Sequence, residues 1–224
     1  MAAFAAILLT TGLSEKPLPD RDPKNKFVGS EATSIFFHRM PTDTLTDMVY
    51  FSTNVVIGTV EKYSVYEGEM PFDDKISTPY SCVLYDVKVE KTLYGEHNDM
   101  ITISLWGQPN NDNGVTKPRI GERMVFFVGG PHPVGGTYSL VAAEKAMFSI
   151  NRNETVLSLS ESWVSGQFDG KPLEFLIEEI EKAVAEYESG EWKYGQDKNY
   201  TPEKTPDPPY IPHDPEAMTT FIPD

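Results

Sequence analysis

Residues 83–96, V-L-Y-D-V-K-V-E-K-T-L-Y-G-E, decide the fold class, because Val83, Tyr85, Val87 and Val89 alternate with Asp86, Lys88 and Glu90. An apolar/polar period of two marks a strand with one face in a core and one in water. The β-branched and aromatic types found here fit that pleated surface. Comparable runs lie on either side, at 55–66, 100–106, 123–128, 138–141 and 146–150. Together they predict a small meandering β domain of five to six antiparallel strands. Gly58, inside the first run, predicts a bulge or tight bend of the kind that curls a sheet towards closure. Met124–Val128 is uniformly apolar, as suits a strand covered on both faces.

Between these runs, 67–79 (E-G-E-M-P-F-D-D-K-I-S-T-P) and 108–118 (Q-P-N-N-D-N-G-V-T-K-P) carry the glycines, prolines and charges of long loops. Residues 93–99 and 120–123 read as turns. Upstream, Pro41 blocks helix before it, a helix N-cap is expected near Thr42, and Leu45, Met48, Val49 and Phe51 give one or two helical turns. Downstream, 172–187 is an amphipathic helix: Leu173, Leu176, Ile177, Ile180, Ala183, Val184 and Tyr187 recur at three- and four-residue spacing opposite a glutamate-rich face. Pro172 suits its first position and Gly190 its stop. Such a stripe is expected to pack on its own domain.

The chain thus divides into residues 1–13, a signal or anchor segment; 14–41, a linker or poorly ordered stretch; 42–190, the β domain with its C-terminal helix; and 191–224, a Pro-rich acidic tail without regular structure. The 224 residues, 39% apolar, are enough for one core of roughly 100 to 150 residues. M-A-A-F-A-A-I-L-L-T-T-G-L at the start is too short to span a bilayer but has the length of a secretory h-region, although no basic stretch precedes it and no clear cleavage site follows. The Pro-rich polar stretch behind it favours export, to the cell envelope or outside the cell, over the alternative of a helix packed on a cytoplasmic domain. A membrane is expected to be touched only through that segment, if it is kept.

Charge and cysteine narrow the function. With 19 Lys and Arg against 34 Asp and Glu, the formal charge of −15 opposes a polyanion, and nucleic acid is excluded as a partner. Cys82 is alone, so no internal disulfide forms, and with no histidine or basic cluster beside it a buried structural thiol is expected. His38, His97, His132 and His213 have no ligand spacing, and surface positions are expected for them rather than a metal site. Residues 110–114, N-N-D-N-G, miss the calcium-loop pattern, and the doubled glycines at 129–130 and 135–136 lack a phosphate-loop lysine. No nucleophile-and-base motif appears. Trp106, Trp163, Trp192, Tyr85, Tyr94 and Phe126 are expected in the core before a ligand groove. Asn153 and Asn199 head glycosylation sequons. No catalytic residue, cofactor or metal is assigned.

The succession N-V-V-I-G-T-V at 54–60, Y-D-V-K-V-E-K-T-L-Y-G at 85–95, I-T-I-S-L at 101–105 and G-E-R-M-V-F-F-V at 121–128 resembles the netrin/tissue-inhibitor-of-metalloproteinases type of domain. The resemblance covers roughly 47–188 and implies an OB-like five-stranded barrel with a terminal helix and a binding rather than catalytic role. It does not carry protease inhibition, since that activity uses an N-terminal cysteine and several disulfides. Similar patterns suggest uncharacterised exported bacterial proteins. The expected fold is therefore an OB-like antiparallel barrel with the C-terminal helix packed on it, the alternative being an immunoglobulin-like sandwich. The expected function is a monomeric binding module, with protein as the partner class. OB-type barrels bind on one sheet face and the loops that frame it. By that likeness Tyr66, Phe72, Asp73, Asp74, Trp106, Asn110 and Asp112 are the candidate ligand-binding residues. A small hydrolase with a site built from loop carboxylates and His97 or His132, or a purely structural envelope protein, are the alternatives.

Overall fold

A computed structural model describes residues 20–21, 42, 44–71, 77–106, 117–130, 136–160 and 163–192. Its elements are helix α1 (Leu45–Phe51), strands β1 (Asn54–Pro71), β2 (Ser77–Tyr94), β3 (Met100–Trp106), β4 (Arg123–Gly129), β5 (Tyr138–Leu140), β6 (Met147–Ile150) and β7 (Val156–Ser158), then helices α2 (Trp163–Gly166) and α3 (Leu173–Glu188).

All seven strands join one sheet in the order β1-β2-β3-β5-β4-β6-β7, and β1 also pairs with β4. That extra pairing, from Asn54↔Val128 to Thr59↔Arg123, closes β1, β2, β3, β5 and β4 into a ring of five strands. The protein is mainly β, as the alternation predicts, and the strands do not separate into the two sheets of a sandwich. One pairing departs from an all-antiparallel meander: β3 and β5 run parallel at Ile103↔Tyr138 and Ser104↔Ser139. Parallel neighbours need a long crossover, and here β4 and its flanking segments supply it.

Alternation sorts side chains between two cores. Val55 and Ile57 of β1 and Val125 and Phe127 of β4 face α1 and α3, where they meet Met48, Val49, Leu176, Ile177 and Ile180. Val56 and Val60, with Met124, Phe126 and Val128, face the other way and join Val83, Tyr85, Val87, Ile101 and Ile103. Residues 124–128 are therefore apolar throughout because both faces of β4 are buried.

Several boundaries differ from the sequence reading. The stretch 67–79 is expected as loop, yet β1 and β2 stay paired through Glu67↔Ser81, Glu69↔Pro79 and Pro71↔Ser77. Cross-strand hydrogen bonds override the local glycines and prolines, and edge strands tolerate proline. Cys82 accordingly lies inside β2 rather than at its start, and it is buried. Helix α1 is capped by Thr44, not Thr42: Asp47 N–H donates to Thr44 Oγ1 at 3.0 Å and Thr44 N–H to Asp47 Oδ2 at 2.8 Å. Pro172 is the N-cap of α3 rather than its first helical residue. Short β7 and α2 carry too few residues for a period to show in sequence.

The bulge at Gly58 is present as a register shift between Ile57 and Gly58. Gly95, at φ +85°, turns β2 towards β3, and a Cβ there would meet the Thr53 carbonyl. Asn54 braces this turn by donating to the Glu96 carbonyl at 2.6 Å.

Candidate functional site

The expected binding residues fall into two groups. Tyr66 on β1 and Trp106 on β3 each stand opposite Cys82 of β2, so three strands place them in one cross-strand row. Tyr66 is half-buried there. Phe72, Asp73, Asp74, Asn110 and Asp112 lie outside the described residues. Among the described residues the row sits where the ring gives way to a ribbon: β1 pairs with β4 as far as Thr59, β2 pairs with β3 from Cys82, and the β1–β2 ladder continues to Pro71↔Ser77.

Among the described side chains, these aromatic residues are dispersed. Phe126 and Tyr85 are buried inside the ring. Tyr94 meets Tyr187 of α3 at 6.2 Å between ring centroids, and Trp192 lies 4.9 Å from Tyr50 of α1. His97 is exposed and contacts Thr92 and Asp99, as expected of a surface histidine. Asn153 is exposed in the β6–β7 turn and accepts a hydrogen bond from Thr155 at 2.7 Å.

The densest polar arrangement centres on a residue that the sequence presents as part of an ordinary turn. Glu122 is only 4% exposed although it lies in the β3–β4 connection. Its backbone locks to β1, with Val60 N–H donating to the Glu122 carbonyl at 2.9 Å and Gly121 N–H to Val60 at 2.7 Å. That places the carboxylate beside the end of the β1–β4 ladder, where five donors address it. Arg21 spans it with Nε on Oε1 and Nη2 on Oε2, the latter at 2.6 Å. Ser149 Oγ donates to Oε1 at 2.7 Å, Arg119 N–H to Oε2 at 2.8 Å, and Arg119 Nη2 approaches Oε1 at 3.5 Å. Arg21 Nη2 also donates to the Lys117 carbonyl at 2.5 Å.

Burial pushes the Glu122 carboxyl up, but the hydrogen bonds and charge of Arg21, with Ser149 and Arg119, more than offset it and hold the group below the usual carboxylate range. Burial drives the nearby Tyr85 phenol well above its ordinary range, with Tyr63 and Glu122 adding to the shift and Arg21 opposing it. A carboxylate with its lone pairs engaged in this way holds a cation and does not accept a proton readily. Among the described residues, no three His, Cys, Asp or Glu side chains come together as a metal site.

Sequence reasoning misses this cluster because its key member, Arg21, lies 101 residues from Glu122 in a stretch read as linker. Asp20 docks as well, accepting from Arg152 N–H at 3.2 Å. The only local trace is Arg119 three residues before Glu122, a spacing common in solvated turns.

Among the described residues no helix is long and apolar enough to cross a membrane. No protein-family model matches this chain, and no curated protein is significantly similar to it.

Proposed function

We propose that the chain is a non-catalytic binding module of an exported or envelope-associated protein, an OB-like, netrin-like barrel that presents the β1–β2 ribbon to a protein partner. The observation that carries this reading is the length of the hairpin: among the described residues the Cys82 row is the last to be held on three strands, and beyond it the β1–β2 ladder goes on as far as Pro71↔Ser77. A ribbon of this kind adds little to a core, and paired strands with accessible edges lend themselves to recognition by strand addition or side-chain contact. Ring closure by β1–β4 and a packed C-terminal helix are the features this architecture asks for. The hydrolase alternative asks for titratable groups converging in one pocket, whereas His97 and Asp99 pair on the surface.

The test replaces 67–81 with Asn-Gly, a two-residue turn that suits a hairpin, and 108–118 with a Gly-Ser linker of equal length. Partners are captured by in-cell crosslinking with the unaltered chain and with the variant. The reading expects the crosslinked partner to disappear from a variant that keeps its circular dichroism spectrum. It fails if the partner is retained with both segments replaced. Export is tested separately, by reading the mature N-terminus by mass spectrometry in envelope and medium fractions.

A further inference from the structure

The two outer sides of the sheet differ. At β7 the side is sealed: Val156 N–H donates to the Lys171 carbonyl at 2.9 Å, Gly170 N–H to the Val156 carbonyl at 2.8 Å, and Ser158 N–H to Asp169 Oδ1 at 2.8 Å. Thr155 and Pro172 add a bridge. At β1 the side is taken by β4 up to Thr59, and Val60 then bonds to Glu122 and Gly121. From Lys62 to Val65, no main-chain bond to that side is present among the described residues, although β1 runs on to Pro71. An open edge is a template for another chain, and proteins guard it with bulges or lysines. Here the bulge falls between Val60 and Lys62, and the ladder is regular from there to Pro71↔Ser77. Lys62 turns across the ribbon to Asp86 of β2, at 3.1 Å. Neither device guards the main chain from Tyr63 to Val65.

The direction of the groups on this edge follows from the ladder. Antiparallel pairs alternate between hydrogen-bonded and non-bonded. Val60, opposite Val87, directs both its N–H and its carbonyl to the Gly121–Glu122 turn, away from β2. Along β2, where the bulge adds no residue, Tyr85 and Val83 share the phase of Val87. Tyr63 and Val65, which stand opposite them, therefore also direct their N–H and carbonyl groups outward, while Ser64, opposite Leu84, faces β2. The side chains of Tyr63 and Val65 lie on the face of Tyr85 and Val83, with the Tyr63 and Tyr85 rings 6.0 Å apart. A strand added here gains most from apolar residues on that face. The formal charge of −15 draws a basic partner. It opposes a second copy of this chain, and the symmetric pairing that sets Tyr63 against Val65 also sets Glu61 against Glu67.

We propose, resting on the reading of the β1–β2 ribbon as the binding element, that the partner binds by strand addition to the β1 edge at Tyr63–Val65. The partner contributes an extended, basic segment of another protein that alternates apolar and polar residues. Its main chain pairs with Tyr63 and Val65, its apolar residues lie beside their side chains, and the Gly121–Glu122 turn ends the added strand at Val60.

The experiment is amide hydrogen exchange of the full chain, read residue by residue by NMR. In the free protein the Tyr63 and Val65 amides exchange faster than that of Ser64. The probe is a short designed peptide of alternating Val and Thr with Lys at both ends, at millimolar concentration. It slows exchange at Tyr63 and Val65 about tenfold or more and leaves Ser64 unchanged. The same peptide N-methylated at its valines, which keeps the charge and loses donors, gives no protection; this comparison holds whether or not any variant folds. Val65→Pro, which removes an outward donor that an edge strand can spare, abolishes protection, and it melts higher than Ser64→Pro, which removes a bond to β2. Slow exchange of Tyr63 and Val65 in the free chain, no protection by the peptide, or equal protection by the N-methylated peptide would each overturn the proposal. So would protection that rises with protein concentration alone, which would point to a second copy. In the crosslinking experiment above, a partner kept by Val65→Pro but lost on replacing the loops overturns the edge and spares the ribbon; a partner kept in both overturns both.

Discussion

Gly58 of β1 faces the Lys88 carbonyl of β2 so closely that a methyl carbon on Gly58 would stand 2.6 Å from that oxygen and equally close to Val87 Cγ1. The bulge at this point bends β1, which must reach β2 on one side and β4 on the other.

Gly58→Ala is therefore expected to lower stability by about 1–3 kcal/mol, the range for forcing an extra carbon into a packed site. Urea unfolding followed by tryptophan fluorescence measures it. A change below about 0.5 kcal/mol would mean that the ladder relaxes without loss.

The Glu122 carboxyl makes a pH-dependent contribution whose sign follows from its downward shift. A folded-state value below the unfolded one keeps the carboxylate charged after the unfolded chain has taken up a proton. The stabilisation is thus whole above the ordinary carboxylate range and is lost as pH falls through the folded value. Below about pH 4 the urea midpoint of the wild type should fall more steeply with acid than that of Glu122→Gln. Parallel curves would remove Glu122 from the acid response.

Thr44 and Asp47 cap α1 reciprocally. Thr44→Ala and Asp47→Ala should each cost about 1 kcal/mol, and the double variant less than the sum, because either change breaks the same box. Additive losses would show the two hydrogen bonds to be independent.

Along α3, Ile180 is fully buried and Phe175 is 40% exposed. Ile180→Ala should cost about 2–5 kcal/mol through the cavity it leaves against β1 and β4, and Phe175→Ala less than about 1 kcal/mol. Similar losses at both positions would contradict the assigned face of the helix.

What could be read from sequence was whatever repeats along it. The alternation in β2, the apolar run of β4, the Gly58 bulge and the α3 stripe are periodic or local signals, and each appears in the fold. The continuation of β1 and β2 through Glu67–Pro71 and Ser77–Pro79 was hidden because pairing across strands overruled turn-forming residues. The parallel β3–β5 contact and the docking of Arg21 on Glu122 join residues far apart in the chain, and no window of sequence contains both partners. The Tyr66–Cys82–Trp106 row is likewise a matter of register, which alternation alone leaves open.

Because β1 pairs with β2 on one edge and β4 on the other, synthesis on the ribosome imposes an order on folding. The β1–β2 hairpin is complete early and can form locally, whereas ring closure waits for β5, Tyr138–Leu140, to emerge. Arg21 is made before any of them and waits longest relative to its own appearance. At about 5–20 residues per second its partner Glu122 follows on the order of 5–20 s later. The nascent chain thus carries Arg21 without its Glu122 partner while β1, β2 and β3 are made.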